Sequence, residues 1–433
     1  MLAGAQQALP FLREGDWIRL QSLLRTGYRY SLSVIGPIAV SAAHFIASLI
    51  FLRMLRADEF GQFSFLLIVV PFCLSMSSAL LGAPAALTRG KDEATAAEEI
   101  GTLHKASLII SAMAGCVVAA LMFSTHAGAG IAALFGLYGT GATLRGFARS
   151  LSNVRARLKR VAASDITYGA ALVAGLTSFA VFGHLTTFNA ALVFVLSVTA
   201  SFLPFGRTYA REIAAATKAR SLRRYLPIWQ DVTRWSLLGV VLTELTVNAH
   251  AYFVTFISGP KAFGLLALGA LFMRPASLVL SALPDIDQPV MTRHLARGDI
   301  KGTLRVVNEF RMASGLVLIG TIVLSIALVT WFPHLFLKKG YDETDVRVVL
   351  ALWIAITAAR VVRTPAAVFL QATGSYSALA RVSAWSSVTS LIATFALLCT
   401  LGPIASLGGV FAGEVAIMVA IFPLARAWRK QHA

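Results

Sequence analysis

Five arginines stand inside apolar runs long enough to cross a bilayer: Arg145 and Arg149, Arg274, and Arg360 with Arg363. An ionisable side chain at mid-helix in lipid costs roughly 2.5–3.5 kcal/mol on insertion scales, so each needs a partner or a task. A guanidinium offers planar pairs of N–H donors that match the oxygens of a phosphate. Arg145 and Arg149 are four apart and share a helix face. Counted inward from the more basic ends of their runs, Arg145, Arg274 and Arg360 lie roughly 10–16 Å deep at 1.5 Å per residue. Facing one cavity, the five would form a cationic site for phosphate groups. The opposing reading is structural. The arginine pairs would snorkel to the membrane surface, and Glu244, at nearly the depth of Arg274 in the neighbouring run, would neutralise it.

Glu244 is followed by Asn248 at i+4 and then by His250. A carboxylate so placed is a candidate to bind a coupling H⁺ or Na⁺. His44 and Glu414 are lone ionisable groups, each expected to hydrogen-bond to a neighbouring helix. Pro37, Pro71 and Pro275 fall within apolar runs, where they free backbone carbonyls and bend helices.

The elements that position these residues follow from composition. Of 433 residues, 57% are hydrophobic and 13% charged, and the mean hydropathy is +0.74. Soluble domains carry about 25% charged residues, so lipid is the solvent here. The net charge of +18 does not point to nucleic acid, because the basic residues punctuate apolar runs instead of forming one solvated face. Cys73, Cys116 and Cys399 lie in apolar runs without a CxxC and read as small packing residues. No P-loop, HExxH, GxSxG or Cys/His cluster occurs, and Asp285 with Asp287 is the only acidic pair at a membrane face. An enzyme is not expected, nor a metal or cofactor.

Apolar spans of roughly 20 residues occur at 31–52, 64–86, 106–124, 130–152, 166–183, 187–206, 235–257, 262–284, 312–332, 348–371, 382–403 and 405–425. Before them, Trp17, Leu20 and Leu24 recur at helical spacing among arginines, as in a helix lying on the membrane surface. The side with both termini and the even-to-odd loops carries 31 Lys/Arg, against 6 on the other. That bias places both termini in the cytoplasm. The external loops are short, which disfavours a polysaccharide polymerase working on the outer face.

The two halves echo one another. Ala57-Asp58-Glu59-Phe60-Gly61 and Pro260-Lys261-Ala262-Phe263-Gly264 occupy the same topological place, their Phe-Gly pairs 203 residues apart. One span later, Pro84 to Arg89 echoes Pro289 to Arg293. The fold expected is therefore all-α and polytopic, with twelve transmembrane helices in two pseudo-symmetric six-helix lobes. The divisions are a cytoplasmic amphipathic segment (1–30), an N-lobe (31–206), a basic linker (207–234), a C-lobe (235–427) and a cytoplasmic tail (428–433). Parallel repeats of this kind place a substrate path between the lobes.

The stretch Phe51 to Phe63, with Asp58-Glu59-Phe60-Gly61-Gln62-Phe63, resembles the signature closing the first helix of polysaccharide flippases. These are the O-antigen and exopolysaccharide exporters of the multidrug/oligosaccharidyl-lipid/polysaccharide superfamily. Gly264 to Asp299 resembles the corresponding region of the second lobe, and Gln371-Ala372-Thr373-Gly374 the end of the tenth helix. The resemblance implies a monomer in the bacterial inner membrane that passes undecaprenyl-diphosphate-linked oligosaccharide between leaflets. A polysaccharide polymerase and a chain-length regulator are its implied partners. A multidrug or metabolite antiporter of the same superfamily is the alternative. Such a carrier of cationic drugs would prefer an acidic cavity, whereas the deep charges counted here are five arginines against Glu244 and Glu414.

Overall fold

The computed structural model describes residues 35–88, 92–219, 222–332 and 341–432. The surface helix expected within 1–30, Arg89 of the repeat, and Lys338 and Lys339 lie outside these residues.

Among the described residues there are twelve long helices, one for each apolar span. The first six are Ile35–Met54 (α1), Ala57–Leu87 (α2), Glu93–Ser124 (α3), Ala129–Val154 (α4), Leu158–Val181 (α5) and Thr187–Ala216 (α6). Arg234–Ser258 (α7) precedes α8, made of two pieces, Pro260–Phe272 and Arg274–Ala296. Ile300–Trp331 (α9), Glu343–Ala372 (α10), Tyr376–Leu401 (α11) and Ser406–His432 (α12) complete the set. Among the described residues, eight helices satisfy a strict length-and-hydropathy test for crossing a membrane, or nine counting bent α8. The other three, α4, α7 and α10, have 26, 25 and 30 residues. At 1.5 Å per residue each exceeds the roughly 30 Å hydrocarbon core. Two of these three carry the arginine pairs, whose charges lower the local hydropathy.

Short-range chemistry sets the ends. The Glu59 carboxylate accepts the Arg56 backbone N–H at 2.9 Å, so the Asp58-Glu59 motif caps α2. Asp92 and Asp299 accept the Thr95 and Gly302 N–H groups and start α3 and α9. Pro71 lies within the continuous first part of α2, and a π-helical turn follows at Ser78–Gly82. The two pieces of α8 meet at Met273 with a 63° bend, next to Pro275.

The outer surface is apolar, as lipid requires: Val181, Phe182, Leu203 and Trp385 are each at least three-quarters exposed. Cys116 and Cys399 are also exposed, so of the three cysteines only Cys73 is buried packing. With no water to drive helices together, close approach depends on small residues. Gly115 lies against Gly136 and Thr140 between α3 and α4, and Gly409 and Gly413 against Thr394 and Ser390 between α12 and α11.

Three buried clusters show how the lobes sit. The largest joins both lobes, with Phe60, Phe63 and Phe65 of α2 packed in one core with Phe263 and Leu266 of α8 and Trp353 of α10. At the other ends of the helices the cores are separate. Phe147, Leu151 and Phe205 belong to one lobe, and Phe310, Phe369 and Ile421 to the other. The lobes are therefore fused at the end where α2 and α8 begin, and their cores part toward the opposite end, where the start of α7 still lies against Ser78–Gly82 of α2. At the fused end the two repeated Phe-Gly pairs meet. A Cβ on Gly264 would lie 3.1 Å from the Gly61 Cα, and one on Gly61 would overlap the Pro260 carbonyl. Tyr341 closes this seam by donating to the Ala57 carbonyl at 3.2 Å.

Candidate functional site

A cavity of ≈ 190 Å³ lies between the lobes just beneath the fused end. Ser48 of α1 and Phe60 and Ser64 of α2 line it on one side; Asn248 and His250 of α7, Arg274 of α8 and Trp353 of α10 line it on the other. Arg274 is the first residue after the bend in α8, and the positive end of the second half-helix starts there. It makes no hydrogen bond or ion pair among the described residues. His250 is 4% exposed, and its Nδ1 has no partner. The cavity thus carries an unneutralised guanidinium and an unsatisfied imidazole in an otherwise largely apolar wall.

Glu244 does not neutralise Arg274. Its carboxylate accepts from Asn248 Nδ2 at 3.0 Å and from the Tyr252 hydroxyl at 2.8 Å. The i+4 spacing did bring Glu244 and Asn248 together. Because Asn248 also lines the cavity, the carboxylate sits one hydrogen bond behind its wall.

The other four arginines are all ion-paired. In the first lobe Asp165, with no exposed surface, bridges Arg145 and Arg149, the latter at 2.9 Å. Arg145 also donates from Nε to Ser164 at 3.1 Å and lies 4.8 Å over the Tyr168 ring. The Tyr168 hydroxyl in turn meets His44 at 2.8 Å and Tyr138 at 2.9 Å, so His44 does bond to a neighbouring helix. In the second lobe Glu414 is not a lone group either: it accepts from Arg360 Nε at 2.7 Å and from Arg363 Nε at 2.5 Å. Arg145 and Arg274 both lie within electrostatic reach of His44, and Arg360 within reach of His250.

Asp165 escaped the sequence reading because its span was drawn from residue 166, which left the carboxylate just outside. The helix begins at Leu158, so Asp165 lies two turns inside it. Its spacing of 16 and 20 residues from the two arginines crosses a helix–helix turn, where helical periodicity carries no information.

No protein-family model matches the chain, and no curated protein sequence matches it. Solved structures do. An inward-facing multidrug resistance MATE family transporter of the MOP superfamily superposes with a TM-score of 0.69 at 12% identity, over 92% of this chain and 98% of that one. The lipid II flippase MurJ in an inward closed conformation gives 0.68 at 12% identity, over 91% and 88%. An outward-facing MATE transporter gives 0.58 at 12% identity, over 94% and 95%. The chain is an all-α, multi-pass membrane protein that shares its fold with these MATE transporters and with MurJ.

Proposed function

We propose that the protein is a flippase that carries undecaprenyl-diphosphate-linked oligosaccharide from the cytoplasmic to the outer leaflet for surface polysaccharide synthesis. The observation that carries this reading is Arg274: an unpaired guanidinium on the wall of an interlobe cavity, at a helix break. Such a charge is costly in a membrane protein unless an anion visits it. A half-helix N-terminus beside it adds to the same field. By the Lys/Arg bias the fused end faces outward and the parted end faces the cytoplasm, where lipid-linked glycans are assembled. Substrate enters between the parted lobes, and transport requires the Gly61–Gly264 seam to open as the other end closes. Glu244, held behind the cavity wall by Asn248, is the candidate for coupling to H⁺ or Na⁺.

The fold is shared by a multidrug transporter and a lipid flippase, so it does not choose between them. The sign of the cavity charge favours an anionic substrate over a cationic drug. Losing one charge-assisted contact weakens binding by roughly 1.5–3 kcal/mol, about ten- to a hundredfold. Arg274→Ala is expected to leave undecaprenyl-linked glycan on the cytoplasmic face and to strip surface polysaccharide while the protein remains in the membrane. Arg274→Lys keeps the charge without the fork and is expected to be milder. Sensitivity to cationic drugs should not change. Export at the wild-type rate by Arg274→Ala would overturn the reading.

A further inference from the structure

We propose that Glu414 is a positioning residue that turns Arg360 and Arg363 into a two-pronged seat for a diphosphate. This rests on the transport reading above and adds to it the place where the headgroup is held.

The fourth helix of each lobe, α4 or α10, carries an arginine pair, and a single carboxylate answers each pair. One negative charge against two guanidinium groups leaves each cluster with one positive charge in excess. The clusters differ in which nitrogens the carboxylate takes. Asp165 accepts from Nη2 of both arginines, and Arg145 spends its Nε on Ser164 and its face on Tyr168. The Arg145 side chain is 8% exposed. Arg149, 29% exposed, is the outer member of this cluster, and the cluster ties α4 to α5.

Glu414 instead accepts from Nε of both arginines. Neither Arg360 nor Arg363 makes another side-chain hydrogen bond among the described residues, so both pairs of Nη groups remain unused. The two arginine side chains are 23% and 22% exposed and Glu414 only 10%. The carboxylate is less exposed than the two guanidinium groups it joins. Two end-on forks fixed by one carboxylate match two neighbouring phosphoryl groups, since each fork binds phosphate oxygens bidentately. Arg360 is also within electrostatic reach of His250, which shares the cavity wall with Arg274. The excess charge of this cluster together with Arg274 equals the two negative charges of a diphosphate diester.

The sign of one substitution separates positioning from simple attraction. Glu414→Gln makes the cluster more positive, so a purely Coulombic site would bind a diphosphate more tightly. A positioning carboxylate predicts weaker binding, because each Nε–H goes to a different carboxylate oxygen and Gln puts an NH2 donor where one of those acceptors stood. The test uses the purified full-length protein in nanodiscs, with undecaprenyl diphosphate and, separately, inorganic pyrophosphate as probes. Glu414→Gln and Arg363→Lys are each expected to weaken binding about tenfold or more, with Glu414→Asp recovering part of the loss. Parallel losses for both probes support a diphosphate seat; a loss confined to the lipid probe overturns it. If Glu414→Gln does not fold, Arg363→Lys, which keeps the charge, decides alone. If Arg274→Ala weakens binding while Glu414→Gln and Arg363→Lys do not, the seat is wrong and the transport reading stands. If the wild-type protein binds neither probe, both fall together.

Discussion

Asp165 shows what a charge needs to survive in a membrane bundle. It accepts from two guanidinium groups on the adjacent helix and is closed off from any other contact with the outside. Removing one member of a buried ionic group leaves the rest uncompensated, at a cost of about 3–5 kcal/mol. Asp165→Asn is therefore expected to reduce the amount of folded protein in the membrane, and adding Arg145→Gln should recover part of it; membrane abundance and thermal unfolding measure both. Glu244 is a different case, since its partners Asn248 and Tyr252 are neutral. If it carries the coupling proton, Glu244→Gln should flatten the pH dependence of flipping with abundance unchanged, as assayed in proteoliposomes. Unchanged pH dependence in a well-folded variant would remove it from coupling. The deep arginines were legible in the sequence because charge stands out against apolar runs. Their partners were not, because Glu414 lies 51 and 54 residues from Arg363 and Arg360.

At the scale of elements, the seam between α2 and α8 is where the two lobes meet most closely. Each begins with a Phe-Gly pair, and the glycines let the two backbones touch. A side chain on Gly61 would collide with the Pro260 carbonyl, which is backbone and cannot swing away. Gly61→Leu is thus expected to hold this end open. The Tyr341 hydroxyl reaches the Ala57 carbonyl, so cysteines at these two positions should be joined by a short bifunctional thiol reagent in the parent protein and not in the Gly61→Leu background. Efficient cross-linking in that background would show that the seam tolerates the bulk. The repeat itself was readable from sequence. That its two copies face each other was not, because a repeat fixes similarity of place within each lobe and says nothing of how the lobes dock.

At the scale of the molecule, the Lys/Arg bias makes a claim about orientation that single cysteines can test. In a background lacking Cys73, Cys116 and Cys399, cysteines at Lys301 and Asp342 should differ toward an impermeant thiol reagent added to intact cells. Only the second should react; equal labelling would overturn the assignment of sides. Composition, hydropathy and the repeat were enough to determine an all-α chain of twelve helices in two lobes, because lipid leaves a spanning backbone few alternatives to the helix. One-dimensional periodicity also placed five arginines and Glu244 at depth. Only the tertiary structure decided that four of those arginines are claimed by Asp165 and Glu414 while Arg274 is left facing a cavity. The reason is physical: depth along a helix follows from counting residues, but the direction a side chain faces, and what meets it there, depends on helices brought together from distant parts of the chain.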